Sequence, residues 1–367
     1  MEARATLPVP SIGAREAPDI AELYERPGPF VTVYLDTNPE VENAAQRSLG
    51  HWRNVRRDLE TAGAPLTALD AIQALVPDAH HRGTTLAAIA DSTGLQLTRT
   101  FDNAITRDVG RWASLPQVAP IIEVQQSSPT HIVVLCDRVG ADIAVYAAND
   151  GDRGTALLQV VVGDAQDPHI SKSKPGGWSQ PRYQERAENA WEHTAREVVE
   201  RLTKVCDIVD PRLVLVSGDV RAVQLLQEHL PPRVASVVRL MTGEPVNEVA
   251  TLVAEDTVAL LEKFREERGQ GDRAVEGVDA TLDALSAARV DTLLVHDDPR
   301  DERMCWFGAD VPLVAPDPQP LRDQGADQPQ MARLADVAIR TAFCTGARVR
   351  VVPATAVKER LGAILRF

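Results

Sequence analysis

From Ser179 onward, apolar residues return every three or four positions, at Ala187, Trp191, Thr194, Val198, Leu202 and Val205. That period lines one face of a helix. Pro181 is tolerable only in its first turn, where the missing N–H costs nothing. A stripe of this length must be buried, and strands flank it on both sides. "HIVVLCDRVGADIAVYAA" (131–148) reads as a hairpin turning at Gly140, and "ALLQVVV" (156–162) as a third strand. After the helix come a parallel-type strand "RLVLVSG" (212–218), a helix near 219–229 and a strand "VASVVRL" (234–240), completing an α/β unit.

The flanking regions alternate in the same way. Residues 1–28, rich in Pro and Ala, form an irregular arm with room for a short helix. "FVTVYLDT" (30–37) is a buried strand ending in the turn "TNPE". A helix from about Glu40 to Ala62 and a strand pair (84–90 and 95–99) follow, and this unit closes near residue 125. Beyond Pro245, a charged helix (246–268) leads to "GQGD". Helical and strand segments then alternate through "ATLDALSAAR", "DTLLVH", "ADVAIRTAFCTG", "RVRVVP" and "GAILRF", the pattern of a small α/β sandwich. The fold class is α/β, in three α/β domains at 1–127, 128–245 and 246–367. Residues 297–330 form a Pro/Asp-rich insertion whose length points to function or mobility.

Composition narrows the partners. The 367 residues carry a net charge of −14, so the overall field repels nucleic acid, and RNA contact must come from local basic patches. Cys136, Cys206, Cys305 and Cys344 are far apart and form no CxxC pair, which points to reduced thiols rather than zinc or disulfides. The first twenty residues lack the basic-then-apolar order of a signal peptide. No apolar run approaches the roughly 18 residues needed to span a bilayer. A soluble cytoplasmic protein is expected, with no metal and no cofactor.

Two basic patches stand out. The loop from Gly163 to Pro181 holds three prolines and three glycines, and in and around its segment "KPGGWSQPRYQ" Lys172, Lys174, Arg182 and Arg186 accompany Gly176, Gly177, Trp178 and Tyr183. It is neither a P-loop nor GxGxxG. A cationic loop with two aromatics suits a phosphate backbone and unpaired bases. The bland alternative is a solvated loop whose charges cap a helix. The second patch is the helix bearing Arg47, Arg53, Arg56 and Arg57 beside His51 and Trp52; alone, it reads equally well as a solvated face. His80 and His81 make a poor metal pair. His296, Asp297, Asp298, Asp301 and Glu302 would allow magnesium, but ordinary turn chemistry accounts for them better. No serine sits in a nucleophile elbow.

At "GGWSQPRY" the middle region resembles that of archaeo-eukaryotic peptide-chain release factor 1 and Pelota, where a hairpin precedes a basic loop, a GGQ tip and a long helix. Gly176, Gly177, Ser179, Arg182 and Tyr183 match the GGQSAxRF pattern closely or conservatively. The C-terminal segments "VDTLLV", "GARVRVVP" and "GAILRF" are similar to the family's kink-turn-binding-like third domain. "VTVYLDT" resembles the N-terminal domain of the bacterial branch, most like Balon-type ribosome hibernation factors of the actinobacterial type. Trp178 stands where the family has its catalytic glutamine, and indole offers no carbonyl to hold a hydrolytic water. Gln180, two residues on, is the alternative hydrolytic group of a peptidyl-tRNA hydrolase or rescue factor. The resemblance implies a non-enzymatic occupant of the ribosomal A site, acting in stress or dormancy, with no DNA or membrane partner. Lys172, Lys174, Gly176, Gly177, Trp178, Ser179, Gln180 and Arg182 would contact ribosomal RNA at the peptidyl-transferase centre. Arg47, Arg53, Arg56 and Arg57 would do so near the decoding centre, and elongation factor Tu is a possible delivery partner.

Overall fold

The computed structural model describes residues 11–40, 43–102, 105, 107–137, 139–146, 158–163, 180–271, 273–309 and 311–367, with the backbone alone for 180–191. The N-terminal part runs through α1 (Pro18–Tyr24), β1 (Phe30–Asp36), α2 (Ala44–Thr61), α3 (Leu66–Gln73) and α4 (Val76–Ala79). It continues through β2 (Thr85–Asp91), β3 (Gly94–Phe101), β4 (Val109–Ala113) and α5 (Ala119–Ser127). The strands pair antiparallel in the order β3-β2-β1-β4. β1 and β2 read as unbroken apolar runs because both of their faces are covered. Val31, Val33 and Leu35 pack against Trp52, Val55 and Leu59 of α2 and Leu69 and Ile72 of α3. Phe30 and Tyr34 point the other way, as the two-residue period of a strand requires. The helix expected from Glu40 begins only at Ala44, because Asn43 in the left-handed region (φ 60°) still belongs to the preceding turn.

The middle part runs β5 (His131–Cys136), β6 (Gly140–Tyr146), β7 (Leu158–Gly163), α6 (Gln180–Val209), β8 (Leu213–Gly218), α7 (Val220–His229), α8 (Pro232–Ala235), β9 (Val238–Leu240) and α9 (Pro245–Gln270). The strand order is β7-β6-β5-β8-β9, with β5, β8 and β9 parallel. Val198, Leu202 and Val205 of α6 cover Ile132, Val134 and Ile143 on one face. On the other, Val133, Leu213 and Leu215 meet Val249 of α9. Only the last three residues of "VASVVRL" form a strand. Pro232 fits the first turn of a helix, so residues 232–235 coil before β9 begins.

The C-terminal part comprises β10 (Ala274–Glu276), α10 (Val278–Ser286), β11 (Val290–Val295), β12 (Met304–Phe307), β13 (Val314–Ala315), α11 (Pro318–Asp323), β14 (Gln330–Arg333), α12 (Leu334–Cys344), β15 (Arg348–Val351) and β16 (Leu361–Leu365). Its main sheet has the order β10-β16-β11-β15. The Pro/Asp-rich insertion is itself folded: β13-β12-β14 form a second, antiparallel sheet, and Leu321 of α11 is buried with Ala315 and Ala326 beside it.

Whereas the sequence implies three domains, the described residues group into two compact units, one within 128–256 and one joining 9–127 to 257–367. The second grouping has a physical cause. Phe30, Tyr34, Ile89, Ile121 and Ile122 share a single core with Leu282, Val337, Ile339 and Phe343. Tyr24 meets Phe343 edge to face at 5.6 Å.

The edge of β15 is closed by residues from far upstream. Ile12 and Val349 exchange two backbone hydrogen bonds, of 2.9 and 2.7 Å. Two residues on, the Gln126 carboxamide does a strand's work on Val351, donating to its carbonyl at 2.6 Å and accepting from its N–H at 2.9 Å. An open edge would invite wrong pairing. Gln126→Ala leaves both of these buried groups unpaired. The expected loss is about 2–6 kcal/mol, from about 1–3 kcal/mol for each unsatisfied group. Urea unfolding of the full chain measures it.

Candidate functional site

The middle sheet fixes where the basic loop starts and ends. β7 closes at Gly163, paired with Gly140 beside the β5–β6 turn. α6 runs antiparallel to β5, because it must return the chain to the start of β8, which pairs in parallel with β5. Thr194, Ala195 and Val198 therefore lie at the Cys136 end of the sheet, where with Asp137, Gly140, Ala222 and Leu226 they line a small apolar hollow. From Thr194 back to Gln180, the helix continues 14 more residues, about 21 Å at 1.5 Å per residue. Both ends of the loop thus lie at, or beyond, the same end of the sheet. Lys172, Lys174, Gly176, Gly177, Trp178 and Ser179 lie outside the described residues. Gln180 and Arg182 stand in the first turn of α6, described by their backbone.

That end of the sheet is held by close backbone packing. Gly218 ends β8 with φ at +132°, and a Cβ placed on it would collide with the Cys136 carbonyl. The next residue, Asp219, donates its N–H to that carbonyl at 2.9 Å and caps α7 through the N–H groups of Arg221 and Ala222. Burial pushes the Cys136 thiol up to about 12 and the Cys206 thiol up to about 11, so neither is a thiolate nucleophile near neutral pH. His131, stacked on Tyr146 at 5.0 Å, is shifted below its ordinary value by burial, against the pull of its hydrogen bond to the Pro129 carbonyl. These groups build the scaffold. Gly218→Ala should destabilise the middle unit by more than about 2 kcal/mol, the strain of a forced backbone plus a clash. Hydrogen exchange of the β5 and β8 amides reports it.

The four arginines of α2 do not act alike. Arg56 is committed inside the fold, 2.8 Å from Glu60, 2.8 Å from Asp70 and bonded to Gln73. Arg47 lies 3.7 Å from Asp36, beside the 2.5 Å contact of His51 with Asp108. Arg53 and Arg57 are one turn apart on the exposed side, Arg53 bonded to the Leu49 carbonyl and Arg57 3.4 Å from Asp58. Arg56→Ala should cost about 1 kcal/mol of stability by unfolding. Arg53→Glu with Arg57→Glu should stay within about 0.5 kcal/mol.

The acidic run after β11 is a knot of ion pairs. Asp297 meets Arg333 at 2.5 Å, Asp298 meets Arg360 at 2.9 Å, and Asp301 meets both Arg303 and Arg360. Chiefly its hydrogen bond from Arg303 holds the Asp301 carboxyl far below the usual carboxylate range. These residues serve as turn chemistry. His80 and His81 lie in a turn with their rings 3.8 Å apart, a contact that alternation along a strand does not anticipate. Among the described residues, no group of three His, Cys, Asp or Glu is arranged to hold a metal, and no helix is long and apolar enough to cross a membrane.

Residues 130–275 match the model for bacterial archaeo-eukaryotic release factor family 2. Uncharacterized proteins from two strains of Mycobacterium tuberculosis are 27% identical over 361 residues, covering 93% of this chain and 94% of each relative. An archaeal translation termination factor is 16% identical over 97% of this chain and 99% of its own, at a TM-score of 0.22. Archaeal Pelota in its ribosome-bound form is 12% identical over 97% and 96%, at a TM-score of 0.35. The matched residues 130–275 take in the three parallel strands, the long helix and the glycine pair, and over them the chain is similar to that bacterial release-factor family.

Proposed function

We propose that this protein is a ribosome-binding factor that occupies the ribosomal A site without releasing the peptide, protecting idle ribosomes in stress or dormancy as Balon-type factors do. The observation that carries the reading is Trp178 within a segment, 130–275, that otherwise matches the release-factor family. A release-factor tip needs a side-chain carbonyl to position water. Indole has none, yet it still stacks on bases and donates from its N–H. The tip would lie toward the peptidyl-transferase centre, with Lys172, Lys174 and Arg182 on ribosomal RNA. Arg53 and Arg57 would face the decoding centre, with Arg47 beside them. The C-terminal sheet would face the stalk base, with elongation factor Tu as the candidate for delivery.

Two measurements test this. Purified protein should co-sediment with ribosomes and release no peptide from ribosome-bound peptidyl-tRNA. Release that disappears with Gln180→Ala would make it a peptidyl-tRNA hydrolase instead. Changing Lys172, Lys174 and Arg182 together to Glu should weaken co-sedimentation and lower the salt slope of binding by about 2–3, one for each lost phosphate contact. Unchanged binding would remove the tip from the interface.

A further inference from the structure

Arg333, Asp297 and Asp336 are charged side chains almost without solvent contact, at 2%, 6% and 2% exposure. Arg333 precedes α12 and divides its donors unevenly. One terminal nitrogen bonds the Asp297 carboxylate at 2.5 Å and the Asp298 carbonyl at 3.2 Å, and Nε bonds the Asp301 carbonyl at 3.2 Å. The other stands 3.6 Å from Asp336, too far for a hydrogen bond. Arg333 Nη1 and Asp336 Oδ1 are both buried without a hydrogen-bond partner, as are Tyr24 OH, Gln117 Oε1 and Arg340 Nη1. Two carboxylates thus compete for one guanidinium, and Asp297 holds the better geometry.

The charged and titratable groups around Asp336 come from both halves of this unit. Arg333 and Arg340 belong to α12 and its start, and Asp297 follows β11. Arg111 comes from β4, Tyr34 from β1 and Tyr24 from α1. Glu123 of α5 and His296 stand beyond Asp297. An ionised carboxylate with an unpaired oxygen is costly at this depth, and the cost vanishes when it is neutral.

We propose that Asp336 is a buried proton switch in the clasp between the N-terminal and C-terminal segments: its neutral carboxyl leaves the clasp tight, and its ionisation strains it. Burial first, with Asp297 acting in the same direction, pushes the Asp336 carboxyl up to about 7 against the pull of Arg333 and Arg111. In the unfolded chain it titrates near 3.9. The folded state therefore holds the extra proton between those values. The stability this contributes is complete below about pH 4 and is lost as the pH rises through about 7. Glu123, raised chiefly by burial, acts with the same sign. Asp91, Asp298 and Asp301 are lowered, so their contributions fade only in acid. His131 is also lowered, so its contribution is lost as the pH falls below about 6.5.

The test uses the full chain. Urea midpoints for wild type, Asp336→Asn and Glu123→Gln are followed from about pH 5.5 to about pH 8.5, beside a carbon-13 titration of aspartate carboxyls. Wild type should lose at least about tenfold in its folding constant across neutrality, the effect of one pKa unit. Asp336→Asn should flatten that loss and match or exceed wild type at about pH 8, while Glu123→Gln should keep most of the slope. One aspartate carboxyl should titrate near 7 in wild type. Parallel profiles for wild type and Asp336→Asn, or aspartates all titrating below about pH 5, would overturn the proposal. If Asp336→Asn does not fold, the wild-type titration decides alone.

Discussion

Covering both faces of β1 and β2 is the requirement on which the rest of 9–127 and 257–367 depends. One cover is local, since α2 and α3 follow β1 within some thirty residues and bring Trp52, Leu59 and Ile72. The other cannot be supplied from nearby sequence. It comes from a core shared with α1, α5, α10 and α12, the last two following the middle segment in sequence. Once that long-range pairing is made, the edge of β15 lies within reach of Ile12 and Gln126, and each satisfies backbone groups that a free edge would leave open. The same closure carries Arg333, Asp297 and Asp336 into a place with almost no water. The buried charge cluster and the tight clasp are therefore consequences of one act of packing.

The middle unit follows different rules. Its described strands and helices lie within 128–256, except that α9 runs on to Gln270, and its parallel core closes through the return path of α6. Among the described side chains of α6, Ala195, Val198, Leu202 and Val205 make the buried stripe. The helix begins 14 residues before Thr194, about 21 Å along its axis.

Much of this was legible in the sequence wherever a segment's partners are local. The 131–148 hairpin, the stripe on α6 and the alternation through "DTLLVH", "RVRVVP" and "GAILRF" all appear as strands and helices near their expected bounds. Short elements were less visible. α3 and α4 lie in a stretch broken by Pro65 and Pro77, and β4 has five residues with Gly110 among them. The shared core was not legible at all, because a doubly covered strand reads as an apolar run whatever covers it. The arginines of α2 show the same limit in the candidate site. Four similar residues on one helix become one locked side chain and three surface ones only once Asp70 and Gln73 fold against Arg56.

Trp178 brings the two scales together. Among the described side chains of α6, those that pack on the middle sheet begin near Thr194, more than a dozen residues along the chain from it. Replacing an amide with an indole removes an acceptor and adds a broad π-face. On the proposed reading, a loop altered in that way would keep a means of binding a nucleic-acid surface and lose a means of orienting water. An occupant of a catalytic centre needs the first property and is better without the second.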